Sequence, residues 1–327
     1  MQYPLDLKLD PEDIEHRGIL RDDDVRLIRS RVGILLSIYF ADGWSQEKRE
    51  ALITCLGDYL SFFSSEVTHF QVDDEPEMRA YKEGGVPDEY RRLLDLPETD
   101  SLFVYLKQAD TAEPWDPSRL MFMGFGHRKS KVWPSSGIEV HFSPRFVFEN
   151  TDRFVGLVRN WSQRLEAVHG SCGLGVLSDP GSENSADAYY YPWLMQYPAL
   201  EYDAMGSFWT ETQNGGSELP RSSNWLTILG NANVERLGGL EAIRASILDN
   251  VHLETYSGGV VIRAGKLPAL GDAATGGIPE AYRTVARLIK PIRFEGYEYG
   301  IIKLPPHMDD DDDVSLGETL KWLRRFD

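Results

Sequence analysis

Cysteine is nearly absent: Cys55 and Cys172 are the only two in 327 residues, far apart and in no CxxC arrangement. That spacing offers neither a zinc knuckle nor a redox pair, and two free thiols in a reducing compartment is the reading that follows. Long apolar runs are also missing. The longest, such as 32–41 and 189–193, fall well short of the roughly 18 residues that cross a bilayer. The N-terminal stretch MQYPLDLKLDPEDIEHRG carries acids and lacks the apolar core of a secretion signal, so cytoplasmic residence is expected. Positive charge is scarce: 34 Lys and Arg stand against 52 Asp and Glu, a net charge of -18. Such a balance opposes contact with nucleic acid or anionic lipid and attracts a basic partner.

Motifs that carry chemistry are scarce as well. No GxSxG is present for a nucleophile elbow. Gly259 to Lys266 has the outline of a phosphate loop, but its spacing is one residue too long, and Leu267 stands where Ser or Thr would ligate magnesium. Lys129 occupies the place of the third glycine after Gly124-Phe-Gly126, which spoils a dinucleotide fingerprint. The seven histidines are scattered, with no HExxH and no pair at i, i+4. The run 309–313 lacks the glycine and the spaced ligands of an EF-hand loop. Glu139 and His141 share a strand face and could do acid-base work, but the alternating pattern favours a solvated face. No catalytic residue, cofactor or metal site is expected.

Charge placement says more than its sum. Residues 170–220 hold seven acids and no Lys or Arg, 66–100 hold eleven acids against four bases, and 309–313 are all Asp. Bases gather elsewhere, as at Arg128, Lys129 and Lys131, or at Arg283, Arg287, Lys290 and Arg293. An uninterrupted acidic run repels itself and predicts an exposed loop at 309–313. Within the base-free segment lies Tyr189-Tyr190-Tyr191-Pro192-Trp193. Tyr and Trp bury much area for few rotors and are common at interface centres. The candidate partner interface is therefore Glu183, Asp187, Tyr189, Tyr190 and Trp193, together with Asp309, Asp310, Asp311, Asp312 and Asp313.

Hydrophobic periodicity alternates between the two regular periods, predicting an α+β protein of mixed, largely antiparallel sheets flanked by helices. Strands are expected at 32–40 (central), 102–106, 120–125, 138–142, 170–177, 251–255 and 259–263, with Ser257 to Gly259 turning the last pair. Helices are expected at 46–63 capped by Ser45, 151–168, 186–198, 224–237, 241–248 and 280–290. A last helix, 315–326, would be capped by Ser315 with Glu318 completing a capping box. With no internal repeat or low-complexity linker, the expected organisation is one compact unit of two lobes. These are an N-terminal lobe over 1–180 and a C-terminal lobe over 181–327.

Several C-terminal stretches occur together in order and spacing: 224–230 (NWLTILG), 236–239 (RLGG), 264–272 (AGKLPALGD), 282–287 (YRTVAR) and 290–293 (KPIR). On these the chain resembles the type VI secretion immunity proteins, long catalogued only as a domain of unknown function. Similarity at 140–143 (VHFS) and in the Trp161 helix extends the resemblance over about 32–293. The resemblance implies a non-enzymatic protein that binds and neutralises a toxin delivered between bacteria, several such toxins being DNases. A nuclease presents basic residues to phosphate, so an acidic surface would meet it with complementary potential. The shared motifs themselves read as turns and helix ends, which fix a fold and not an interface. Two other functions stay open from sequence: a non-enzymatic adaptor or scaffold of the secretion machinery, and an enzyme with an unrecognised site.

Overall fold

Between Val32 and Phe40 only Gly33 and Ser37 interrupt an apolar run, so side chains of both parities need cover. In the computed structural model this run is the middle of one sheet with structure on both faces. Described are residues 6–21, 28–72, 77–109, 116–133, 135–179, 183–302, 304, 305, 308 and 311–327, with the side chains of 183–189 set aside.

The strands are β1 (Ile19–Arg21), β2 (Ile28–Phe40), β3 (His69–Gln71), β4 (Arg79–Ala80), β5 (Leu102–Lys107) and β6 (Met121–Gly126). They continue as β7 (Ser136–Phe142), β8 (His169–Leu177), β9 (Leu226–Gly230), β10 (Val251–Tyr256) and β11 (Gly259–Ala264). The helices are α1 (Pro11–Arg17), α2 (Gln46–Phe63), α3 (Asp88–Arg92), α4 (Pro144–Glu149), α5 (Thr151–Leu165) and α6 (Glu183–Gln196). After them come α7 (Met205–Glu211), α8 (Asn231–Arg236), α9 (Leu240–Ser246), α10 (Glu280–Ile289) and α11 (Asp312–Leu323). All eleven strands join one antiparallel sheet in the order β10-β11-β9-β8-β2-β7-β6-β5-β3-β4, with β1 added to the start of β2. The mixed, antiparallel α+β class expected from the sequence is what is observed. The sheet runs unbroken from β8 to β9, across residue 180.

One face of the sheet is covered by α2 and α5. Ser45 caps α2 by accepting from the Lys48 amide, and the predicted stripe Leu52, Cys55, Leu56, Tyr59, Leu60 and Phe63 is buried. From α5 come Phe154, Val158 and Trp161; Trp161 meets Phe122 at 5.9 Å and Phe142 at 6.2 Å. Each such fully buried large side chain stabilises the fold by about 1.5–3 kcal/mol. The opposite face is covered by α6, α7, α11 and the segment 197–225. Glycines admit that segment: a Cβ on Gly173 would sit 2.0 Å from Asn224 Oδ1, and one on Gly175 would sit 2.9 Å from the Glu201 carbonyl.

Three expectations are corrected. Residues 224–237 are not one helix: β9 comes first, then the short α8. A short apolar run such as Leu226 to Leu229 fits either period, and here both its faces are covered. The C-terminal helix starts at Asp312, not Ser315, and Asp311 is its cap, accepting from the Asp313 amide at 3.0 Å. Ser315 is instead buried and donates to the Ile302 carbonyl at 2.8 Å. Glu139 and His141 do not face solvent; both lie under the second layer, 2% and 0% exposed.

Candidate partner-binding surface

The covered second face holds a set of ionisable groups, which is where acid-base chemistry would first be sought. Arg221 Nη2 lies 3.0 Å from Glu201 and 3.3 Å from Asp203, and its Nη1 donates to the Tyr202 carbonyl. Burial pulls the guanidinium pKa down, but Asp203 and Glu201 more than offset this, so Arg221 stays charged. Glu201 also accepts from Asn224 at 3.0 Å, and Tyr39 donates to Asp203 at 2.8 Å. Further along the face Lys107 pairs with Asp179 at 2.7 Å.

Glu139 Oε1 stands 3.4 Å from His141 Nε2. Burial first, and then Asp203, push the Glu139 carboxyl well above the usual range, while burial lowers His141 to about 4. His141 Nδ1 lies 3.0 Å from the Ser118 carbonyl and can only donate to it, which leaves Nε2 as the unprotonated ring nitrogen, on the side of Glu139. Arg221, Glu201, Asp203, Lys107 and Asp179 have partners inside the fold, whereas Glu139 Oε2 and His141 Nε2 are buried without a hydrogen-bond partner among the described residues; all seven side chains are at most 3% exposed. They tie the second layer to the sheet.

Of the predicted interface, Asp311, Asp312 and Asp313 are exposed and begin α11, where acids also favour the positive end of the helix dipole. Exposed Val314 follows them. Gly300 abuts Ser315, and beside it Glu298 and the 60% exposed Tyr299 face solvent. Tyr190 and Trp193, by contrast, are fully buried, with Tyr190 packed 5.2 Å from Tyr202. That corrects their assignment: a side chain with no exposed area offers a partner nothing to dock on. Asp309 and Asp310 lie outside the described residues, as do the side chains of Glu183, Asp187 and Tyr189 on α6.

A second charged surface sits where β5 and β7 begin and β6 ends. Buried Arg49 on α2 reaches out of the core and donates to the carbonyls of Leu96, Pro97 and Asp100, fixing the stretch 96–100. Asp95 just before it and Glu98 and Asp100 on it are exposed. The loop between β6 and β7 is bound to this stretch: the Lys129 amide donates to the Glu98 carbonyl at 2.7 Å, and the Arg128 amide to Ser101 Oγ at 3.1 Å. Lys129 also pairs with Glu98 at 2.8 Å and lies 4.2 Å over the Trp44 ring.

The loop closes by stacking. Trp133 lies parallel to His127 at 5.2 Å, and Phe125 and Trp209 meet His127 edge-on at 4.5 Å. Burial, then Arg128, lower His127 to about 4, so the ring is neutral at pH 7. The loop's outer side chains Arg128, Lys131 and Val132 are exposed. Sequence reading did not single this surface out, although the acidic surplus of 66–100 and the basic cluster at 128–131 were its signals.

Among the described residues both surfaces carry charge on the outside, and the ion pairs of the covered second face are locked within. Residues 51–326 match the family described as TsiV, type VI immunity for VRR-NUC, and the chain belongs to that family. Among solved structures it is similar to the Pseudomonas aeruginosa type VI secretion system protein PA0821, with 20% identity and a TM-score of 0.81. That alignment covers 97% of this chain and 88% of the other, and it shows a shared fold. No curated protein matches the sequence.

Proposed function

We propose that this protein binds a VRR-NUC nuclease effector and neutralises it by protein-protein contact, without catalysis, in the cytoplasm where the DNA is. The family match over 51–326 carries the proposal. The charge supports its mechanism: a nuclease must offer a basic surface to phosphate, and a chain at -18 with exposed acids at Asp95, Glu98, Asp100 and Asp311 to Asp313 can occupy that surface. Docking there excludes DNA directly. Titrating purified protein against the nuclease encoded beside its gene, at low and moderate salt, tests this. Inhibition should be complete at one equivalent and should weaken with salt; full nuclease activity in excess folded protein would end the proposal.

A further inference from the structure

The loop between β6 and β7 has the wrong sign for its surroundings. Exposed Glu98 and Asp100 lie on the stretch bound to it and exposed Asp95 just before that stretch, yet its own outer side chains are Arg128, Lys131 and the 50% exposed Val132. Lys129 is spent on Glu98 and Trp44, but among the described residues neither Arg128 nor Lys131 has a charged partner. The loop is also held in shape before any partner arrives, by the His127–Trp133 stack at its base and the Lys129 clamp at its side. A rigid loop pays little ordering entropy on docking.

A metal-dependent nuclease site has the inverse pattern. Carboxylates that hold a divalent cation lie at the centre of a basic groove that binds phosphate. Resting on the function proposed above, we infer that the 127–133 loop docks in that centre, placing Arg128 and Lys131 among the metal-binding carboxylates while the surrounding acids face the groove. Val132 fills apolar contact between them. DNA itself does not suit the loop, because an extended polyanion would also meet Asp95, Glu98 and Asp100.

The test uses the full chain, the nuclease encoded beside its gene, and magnesium as the competing probe at constant ionic strength. The unaltered protein should bind the nuclease more weakly as magnesium rises. The double variant Arg128→Ala, Lys131→Ala should bind about 100-fold more weakly, losing about tenfold per charged contact, and should no longer respond to magnesium. Both side chains are exposed, so the variant should keep its thermal unfolding midpoint. Equal affinity of variant and parent, or parent binding indifferent to magnesium, would overturn the loop's role and leave the neutralising function standing. Failure of the unaltered protein to inhibit at all would overturn both.

Discussion

Arg221→Met tests whether the buried ion pairs of the second face hold the layers together. The change removes a guanidinium that contacts Glu201 at 3.0 Å and Asp203 at 3.3 Å and substitutes an unbranched apolar chain. Glu201 keeps Asn224 and a distant Arg325 at 3.8 Å, and Asp203 keeps the Tyr39 hydroxyl, but neither retains a close cation among the described residues. Breaking a buried pair by removing one partner costs about 3–5 kcal/mol, a large share of the roughly 5–15 kcal/mol that holds a typical protein folded.

The loss should depend on pH. Burial already raises the Asp203 carboxyl against the pull of Arg221, and without that pull it rises further. A carboxyl raised in the folded state gives stability that is present below its unfolded pKa and lost as pH climbs through the folded value. The variant's deficit is therefore greatest at neutral pH and shrinks in acid. Urea unfolding followed by tryptophan fluorescence at several pH values measures it, and adding Glu201→Gln and Asp203→Asn should restore much of the loss. A deficit below about 1 kcal/mol at pH 7, or one independent of pH, would show that the pairs do not carry this stability.

Other changes probe separate parts of the fold. Glu139→Gln removes a carboxyl held above its usual range; the variant should match the parent below pH 4.5 and exceed it increasingly above, by about 1–3 kcal/mol at neutrality, in the same unfolding assay. Gly173→Ala would force a Cβ to 2.0 Å from Asn224 Oδ1 and should cost about 1–3 kcal/mol, whereas Gly156→Ala inside α5 meets nothing within 4 Å and should gain about 0.5–1 kcal/mol. Calorimetric midpoints should move in opposite directions. Asp311→Ala removes the cap of α11 and should cost about 0.5–2 kcal/mol, seen as faster amide exchange in the first turn.

Legibility from sequence followed the strength of local signals. The α2 stripe and the β10–β11 turn were readable because period and turn chemistry agree there with the tertiary structure. At 224–230 they do not decide, since a short buried strand and a helical segment share one composition. Ser315 and Glu318 matched a capping box, yet Gly300 and Ile302 pack on Ser315 and Tyr191 donates to Glu318, so tertiary contacts claimed both and Asp311 became the cap. Alternation misled at Glu139 and His141 because a polar side chain on a strand can also be buried beneath a second layer. For the candidate surface, charge counts point to acids that are exposed at 311–313 but do not show which aromatics face outward: Tyr190 and Trp193 lie in the core.

The position of β2 also bears on how fast the protein becomes available. Besides β1, its sheet neighbours are β7 and β8, far along the chain, so Leu36 must find Val140 and Cys172. Such distant pairing places folding on the slow side of the range for domains, and an apolar strand stays uncovered until β8 has been made. On the function proposed above, protection would rest mainly on molecules already folded, since slow pairing delays each newly made chain.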